Sequence, residues 1–418
     1  MGCLLTSFLI GKKGTLVNQS SDSSPLFNEI KYCIRCCMPE TQEGISFDDL
    51  GICKACQSSE QKIHINWVER EIEFRKIVER AKANAGKNYD CIVPISGGKD
   101  SMFQLHVLVK VYGMKPLAVT FSHNWFSETG WYNLQNALQQ FNVDHMMFTP
   151  NRDLIGRIAK KSLSSIGDAC WHCHSGVGAY PLHVACKFNI PLLIWGESIA
   201  ETSGRASYVN PVHKFDREYF TKVSAKLRPD EMVCSDLSER DLYPFEVPSI
   251  EEIERTGVFG IHLGDYMFWD EERQTEFVSE YYNWKETEME GAFKGYKSAE
   301  CIMAGVHDFT CYLKRGYGRS TFQACLDVRN GLMTREEGFQ IAREIDRERP
   351  GALDYFLKIS KLSEIEFMQT ISKLKHKKLI DIDIPVVPKR LVNREKTIPF
   401  FEQLIDKHST RQDPRTPE

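Results

Sequence analysis

Short apolar runs recur through the middle of the chain, and stretches with helical spacing of apolar residues separate them. Four runs, each of four to six residues, occupy residues 91–95, 116–121, 145–148 and 190–195. Runs of this length that lack a polar face are typical of strands buried on both sides. Strands that alternate with helices predict an α/β fold with an open, mostly parallel sheet, whose ligands gather at the carboxyl ends of the strands.

Helical periodicity flanks the sheet region on both sides. Residues 67–83 form an amphipathic pattern that leads into the first strand. Residues 334–348 and 352–375 are charged helical segments, and the polar ends of the chain predict a flexible leader and a disordered tail. The predicted division is a leader (1–30), a cysteine module (31–60), a linking helix (61–88), a sheet domain (89–270), a mainly helical substrate or partner region (271–407) and a tail (408–418).

Composition excludes several classes of protein. The formal net charge of −4 over 418 residues gives none of the global basic surface that nucleic-acid binders carry, so we expect no nucleic-acid partner. No apolar run is long enough to span a bilayer, and no positive segment precedes the apolar start, so we expect a cytoplasmic protein that does not bind membranes. In such a protein fourteen cysteines indicate metal binding or catalysis rather than disulfides.

Four cysteines near the start have the spacing of a zinc ribbon. Cys33 and Cys36 form one Cys-x-x-Cys pair, Cys53 and Cys56 form a second, and residues 37–52 lie between them. Each pair brings two thiolates to one side of a turn, so two pairs close a tetrahedron around Zn²⁺. Since the protein fills all four positions, we expect a structural zinc site. Four unrelated reduced thiols remain the alternative.

The first apolar run ends in the most informative stretch of the sequence. A strand, a glycine turn and a helix start direct backbone N–H groups at one point, and the helix dipole adds positive charge there, which suits a phosphate. Gly97 and Gly98 permit a close approach of the backbone to the anion. Lys99 supplies a positive charge, and Asp100 offers a carboxylate for Mg²⁺ or for capping the helix. The loop consists of Ser96, Gly97, Gly98, Lys99, Asp100 and Ser101.

This order is not that of a Walker A loop. It resembles the loop of the pyrophosphate-loop ATPases, also called N-type ATP pyrophosphatases, and the resemblance implies their adenine nucleotide α-hydrolase-like sheet. Those enzymes cleave ATP between its α and β phosphates and release AMP and pyrophosphate. At neighbouring strand ends, Thr120, Gly196 and Glu197 are expected to face the same nucleotide. A glycine turn of an unrelated α/β protein is the alternative.

A third Cys-x-x-Cys, formed by Cys170 and Cys173, lies between the third and fourth strands and has no partner pair. Three interpretations stay open. The cysteines are a chance pair, or a thiolate or nearby imidazole transfers a proton at the substrate site, or the pair holds a metal ion or iron–sulfur cluster with a distant third ligand such as Cys301.

A basic segment lies near residue 316, where three cations flank two glycines. Lys314, Arg315 and Arg319 suit an anionic sugar, a nucleotide phosphate or RNA. A solvated basic loop is the alternative.

Taken together, the motifs over about residues 31–350 resemble the N-acetyl sugar amidotransferases of bacterial O-antigen and flagellin-sugar biosynthesis. They are the double Cys-x-x-Cys, the loop with its strand, Cys170 and Cys173, Trp195-Gly196-Glu197, Leu263-Gly264-Asp265-Tyr266 with Trp269, His307-Asp308, residues 314–319, and Val328-Arg329-Asn330-Gly331 with Thr334-Arg335-Glu336-Glu337.

This resemblance implies that ATP adenylates the oxygen of a sugar acetamido group and that ammonia then displaces AMP to leave an acetamidino group. It implies ATP, Mg²⁺ and Zn²⁺ as cofactors and an N-acetylated sugar or nucleotide sugar as substrate. No part of the chain resembles a glutaminase, so a glutaminase and a cyclase-like subunit are expected to supply the ammonia. The residues expected to take part in catalysis are Lys99, Asp100, Glu197, Cys170 and Cys173.

Two other functions remain open. A tRNA-thiolating enzyme of the same ATPase superfamily also combines zinc ribbons, a similar loop and an inner Cys-x-x-Cys, and RNA-dependent AMP release would favour it. The second is a zinc-ribbon adaptor with an inactive ATP fold, which the intact Lys99 and Asp100 make less attractive.

Overall fold

The computed structural model describes residues 24–202, 207–209, 211, 217–220 and 225–388. The tail predicted for residues 408–418 and most of the predicted leader lie outside these residues. The last part of that leader is packed: Phe27 is 3% exposed, and its ring lies 6.4 Å from that of Tyr312. Apolar side chains in this part are thus buried in the core, and the flexibility predicted for residues 1–30 stays a prediction.

Five strands form the central sheet: β1 (Cys91–Pro94), β2 (Pro116–Phe121), β3 (His145–Phe148), β4 (Leu192–Trp195) and β5 (Phe259–His262). All are parallel, in the order β3-β2-β1-β4-β5, with Val93 opposite Ala118. The predicted α/β fold with a parallel sheet is confirmed, and the four predicted strands are present. The sequence pattern does not indicate β5, because Gly260 interrupts its apolar run.

Two helices precede the first strand, α1 (Lys54–His64) and α2 (Trp67–Ala85). The helices between the strands are α3 (Lys99–Leu105), α4 (Glu128–Phe141), α5 (Arg152–Ile166), α6 (Trp171–Phe188), α7 (Ile199–Thr202), α8 (Arg217–Phe220), α9 (Glu239–Leu242) and α10 (Ile250–Thr256). A π-helical turn, His106–Val111, continues α3. Side-chain caps start several helices. At the start of α4, Ser127 accepts a hydrogen bond from the N–H of Gly130, and left-handed Asn142 ends the helix.

Side chains along each strand alternate between two hydrophobic clusters. Cys91 and Val93 pack with Phe74 of α2 on one face, whereas Ile92 packs with Leu182 of α6 on the other. Both faces are therefore buried, which accounts for the almost continuous apolar runs. Each fully buried aliphatic side chain contributes about 1.5–3 kcal/mol to the free energy of unfolding.

The chain after β5 is mainly helical, as predicted: α11 (Glu271–Tyr282), α12 (Ala304–Arg315), α13 (Arg319–Arg329), α14 (Arg335–Ile345), α15 (Ala352–Ser360) and α16 (Glu364–Ser372). Two short strands, β6 (Glu348–Arg349) and β7 (Val387–Pro388), pair beside them. The basic segment is not a loop throughout, since Gly316, with φ of 78°, makes the turn between two helices. Left-handed Lys361 divides the helix expected over residues 352–375. None of the described helices is long and apolar enough to cross a membrane.

Candidate functional site

The loop after β1 has the strand–turn–helix geometry expected of it. Gly97 adopts φ of 88°, and a Cβ atom at this position would lie 2.4 Å from the carbonyl oxygen of Gly130, so only glycine fits. Gly98 caps α3, and the hydroxyl of Ser101 donates to the Gly98 carbonyl at 2.8 Å. The backbone of the loop at Gly97 therefore packs closely against the backbone of α4.

Opposite charges and an aromatic ring surround the side chain of Lys99. The residue is 1% exposed, and its Nζ lies 2.7 Å from Asp100 Oδ1 and 4.0 Å from Glu271 Oε2. The ring centroid of Tyr296 lies 5.4 Å from the same nitrogen. Because an unpaired buried ammonium is costly, these neighbours compensate for its burial.

Glu197, Glu271 and Lys297 extend this charged cluster. Lys297 contacts the carboxylate of Glu271, and its Nζ lies 3.7 Å from Glu197 Oε2. The carboxyl group of Glu197 also shares a hydrogen bond with that of Glu271, and its side chain is 39% exposed. Burial raises the pKa of Glu197 to about 7, and Lys297 opposes this rise. Burial also favours neutral Glu271, but Lys297 and Lys99 outweigh it and lower its pKa to about 2.

The region after β5 also shapes the loop, which the sequence does not indicate. The indole of Trp284 donates a hydrogen bond to the Gly97 carbonyl at 3.0 Å. A Cβ atom on Gly98 would lie 3.6 Å from Glu300 Oε2. Glu271, Lys297, Trp284 and Glu300 belong to no recognisable motif, and tertiary packing alone brings them to the loop.

Two predicted nucleotide contacts have different surroundings. Gly196 lies beside the loop, since a Cβ atom there would be 3.4 Å from that of Asp100. Thr120 is 1% exposed, donates its hydroxyl to the carbonyl of Ile95 at 2.7 Å and lies 2.9 Å from His145 Nε2. Its hydroxyl is engaged within the sheet, and the nucleotide contact predicted for it stays a prediction.

The four predicted zinc ligands converge on one point. The Sγ atoms of Cys33 and Cys56 are 3.8 Å apart, as are those of Cys36 and Cys53, and all four residues are buried. A tetrahedron with Zn–S bonds of about 2.3 Å has edges of about 3.8 Å. The thiols are therefore already at the spacing that a zinc ion needs, and the cluster is compatible with zinc.

The inner cysteine pair lies at the start of α6 beside Asp168 and His307. Asp168 Oδ1 accepts a hydrogen bond from the N–H of Cys170 at 2.8 Å and lies 3.0 Å from His307 Nδ1. Burial, and next Asp168, raise the pKa of Cys170 well above its ordinary value. Burial, and next Cys301, raise that of Cys173. Protonated thiols are poor nucleophiles, which weighs against a free thiolate at this pair.

The three cations predicted to bind substrate do not form one cluster. Lys314 donates to the carbonyl of Ile166 at 2.6 Å, and Arg315 pairs with Glu43; both cations line a cavity of 690 Å³. Burial lowers the pKa of Lys314 to about 8. Arg319 is not part of the lining and pairs with Asp308. A common role for all three cations in substrate binding stays a prediction.

Comparison with known proteins gives a match for the C-terminal region. Residues 271–382 match the family described as "LPS biosynthesis protein WbpG-like, C-terminal domain". The matched segment begins with α11 and contains Glu271, Trp284, Lys297 and Glu300, so it includes the side chains that reach the loop from outside the sheet domain.

The chain is also similar to one protein in sequence and to one solved structure. An uncharacterized protein of Methanocaldococcus jannaschii is 30% identical over 114 residues, which are 27% of this chain and 40% of that relative. The structure of NMN synthetase from Francisella tularensis overlaps 52% of this chain and 94% of its own, with 12% identity and a TM-score of 0.26. At that TM-score the overlap carries no weight for fold or function. The chain thus spans less than half of the archaeal relative that it matches.

Proposed function

We propose that this protein is an ATP-dependent ligase that converts the acetamido group of a sugar to an acetamidino group and forms AMP and pyrophosphate. One observation carries the proposal: the segment similar to a lipopolysaccharide-biosynthesis domain lies against the loop suited to phosphate. Two residues of that segment contact the loop: Glu271 forms an ion pair with Lys99, and the indole of Trp284 donates a hydrogen bond to the backbone of Gly97. A sugar-handling region and a nucleotide loop would then share one site, in the synthesis of a surface polysaccharide or flagellin sugar.

Support for ATP comes from the loop itself. Gly98 is the N-cap of α3, no side chain caps this helix, and the N–H groups of a first helical turn attract phosphate oxygens. Asp100 and Glu197 are the residues that would hold Mg²⁺, because this cation prefers carboxylate oxygens and both carboxylates belong to the charged cluster beside the loop. Bound there, Mg²⁺ would offset the charge of the triphosphate.

The reaction needs activation because an amide carbon is a poor electrophile. The acetamido oxygen attacks the α-phosphorus of ATP, a new P–O bond forms as the bond to pyrophosphate breaks, and the amide nitrogen gives up its proton to leave a neutral O-adenylyl imidate. Ammonia then adds to the carbon of the O-adenylyl imidate. The C–O bond breaks, AMP leaves with the former amide oxygen, and the amidine keeps the protons of ammonia as a cation. The carboxylate of Glu271, whose pKa is lowered to about 2, would be ionised near that developing positive charge, although Lys297 and Lys99 already compensate part of its charge.

A nucleotide sugar or an acidic sugar is the substrate class that the basic cavity supports. Lys314, Arg315 and Lys226 line it together with the carboxylates of Glu40 and Glu43, so the cations are in excess by one. Their ammonium and guanidinium groups suit carboxylate or phosphate oxygens. The ammonia would come from a separate glutaminase and a cyclase-like subunit, as the resemblance to the amidotransferase family implies.

The experiment that tests this function measures AMP and pyrophosphate release from ATP in the presence of ammonium chloride. Each assay contains one nucleotide-linked diacetamido sugar or N-acetylated nonulosonic acid, and mass spectrometry identifies the product. We expect sugar-dependent AMP together with a product in which NH replaces one oxygen. Asp100→Ala should abolish AMP formation, whereas the matched control Asp383→Ala, at an exposed position, should not change it.

A specific result would replace this proposal by tRNA thiolation. That reaction is the nearest competitor because Cys170, Cys173 and Cys301 are neighbours at one point of the fold. AMP release that requires tRNA and a sulfur donor, and that no sugar in the panel stimulates, would identify the thiolase. ATP binding without turnover under either condition would favour the adaptor.

A further inference from the structure

A second group of potential metal ligands lies apart from the four-cysteine cluster. Asp168 and Cys170 lie just before the first residue of α6, and His307 belongs to α12. Asp168 is 3% exposed and Cys170 is 7% exposed. Each residue offers one ligand atom, and the three ligand atoms lie within 4.8 Å of one another. In the described part of the chain, the four-cysteine cluster is the other group of potential ligands with this spacing.

We propose that Asp168, Cys170 and His307 bind a second transition-metal ion, with Zn²⁺ as the ion that their donors suit. A thiolate, an imidazole and a carboxylate are the three donor types that zinc takes from proteins. Hard cations such as Mg²⁺ and Ca²⁺ prefer sets composed of oxygen, so the sulfur and nitrogen donors weigh against them. Three protein ligands leave one position of a tetrahedron for water or a substrate atom, unlike the closed four-cysteine cluster.

The surroundings of these residues favour a fixed carboxylate. Asp168 Oδ1 accepts a hydrogen bond from the N–H of Cys170, which orients the side chain in the way that second-shell partners orient zinc ligands. His174 Nδ1 lies 3.7 Å from Asp168 Oδ2, and the ring centroids of His174 and His307 are 5.1 Å apart. His174 is therefore positioned beside the three ligands.

Lys226 is a cation close to the proposed metal site, and its charge would repel a bound metal ion. Lys226 Nζ lies 3.7 Å from Asp168 Oδ2, but it lies nearer, at 3.2 Å, to Glu43 Oε2. Glu43 therefore offsets part of the charge of Lys226, since the same carboxylate also pairs with Arg315. Lys226 also lines the basic cavity, so the proposed metal ion lies next to the wall of that cavity.

The proposed site has mixed ligands and differs in this from an iron–sulfur cluster, which cysteine thiolates would hold. Cys173 and Cys301 are close to Cys170, but they are not members of the group within 4.8 Å. An iron–sulfur cluster would be held by Cys170, Cys173 and Cys301 and would be indifferent to His307. Substitution of His307 and of Cys173 therefore separates the two possibilities.

The test counts zinc in the full-length protein after incubation with ZnCl₂ and removal of unbound metal. Inductively coupled plasma mass spectrometry gives zinc per chain for the wild type, Cys170→Ser, His307→Gln and the matched control Cys173→Ser. We expect one zinc ion fewer per chain in Cys170→Ser and in His307→Gln, and an unchanged count in Cys173→Ser. Because His307 is partly exposed, its variant is the less disruptive, and circular dichroism confirms that each variant is folded.

Two results would overturn the proposal. The first is an unchanged zinc count in folded His307→Gln and Cys170→Ser. The second is a loss of metal in Cys173→Ser and Cys301→Ser while His307→Gln keeps it. A Co²⁺ titration of the wild type gives an independent measurement. The proposal is supported if a second binding site appears whose absorption spectrum differs from that of the four-thiolate cluster and if His307→Gln lacks this site. Neither measurement depends on the reaction proposed above.

Discussion

The guanidinium of Arg329, near the end of α13, donates a hydrogen bond to the Sγ atom of Cys36 over 3.7 Å. Arg335 donates to the backbone carbonyls of Cys33 and Cys36, at 3.0 and 3.2 Å. Two cations from the C-terminal helices thus face a cluster that would carry negative charge with four thiolates and one zinc ion. Outer partners of this kind stabilise the charge of the ligands and hold them in place.

We therefore predict that Arg329→Gln weakens zinc binding at the four-cysteine cluster by about 10- to 100-fold, because an outer partner of the ligands is lost. Competition with a chromophoric chelator measures this affinity. Arg273→Gln is the control, since that side chain is 86% exposed and its guanidinium lies 3.6 Å from Asp270 near the start of α11. Equal zinc affinity in the two variants would contradict a role for Arg329 at the cluster.

Gly97→Ala should lower the free energy of unfolding by about 2 kcal/mol or more, because the new Cβ atom would meet backbone and the φ angle is positive. Gly257→Ala is the matched control, since its φ is also positive but no atom lies within 4 Å of the added Cβ. There we expect a loss of about 1–2 kcal/mol from the φ angle alone. Urea unfolding measures both, and a loss at Gly97 no larger than that at Gly257 would exclude the predicted clash.

Glu197 should make stability depend on pH. Its pKa is raised from 4.5 to about 7 in the folded protein, so between these values the folded state holds more protons than the unfolded state. Stability must then fall as the pH rises from about 4.5 to about 7, and the full cost applies above pH 7. Glu197→Gln removes this cost.

Thermal unfolding at pH 5 and pH 8 tests the prediction. The melting temperature of Glu197→Gln, relative to that of the wild type, should be higher at pH 8 than at pH 5. Glu276→Gln, at an exposed position of α11, serves as the control. Its melting temperature should differ from that of the wild type by the same amount at pH 5 and at pH 8. If the melting temperature of Glu197→Gln also differs from that of the wild type by the same amount at both pH values, the pKa of Glu197 in the wild type is not raised.

Lys297→Met should destabilise the protein by about 3–5 kcal/mol, because Glu271 would remain buried without its closest cation. Lys187→Met removes an exposed lysine that lies 3.7 Å from Glu252 and should cost about 0–1 kcal/mol. The double variant Lys297→Met with Glu271→Gln should recover part of the loss. A double variant no more stable than Lys297→Met alone would rule out the unpaired carboxylate as the cause.

The sequence indicates those parts of the site that are contiguous in the chain. The loop from Ser96 to Ser101 is recognisable because strand, turn and helix follow one another, and the four cysteines are recognisable by spacing. The side chains of Glu271 and Lys297 approach the loop only through packing of α11 and the segment that follows it. Helix boundaries also depend on such packing, and the basic segment near Gly316 therefore proves to be the ends of two helices.

The position of Glu271 at the first turn of α11 has a consequence for how the chain can be divided. A fragment that ends at residue 270 would keep the entire phosphate-type loop but would lose one of the two carboxylates beside Lys99. It would also lack the indole that bonds to Gly97. The smallest piece that carries a complete loop is thus not the sheet domain by itself, and truncation experiments should extend beyond Lys297.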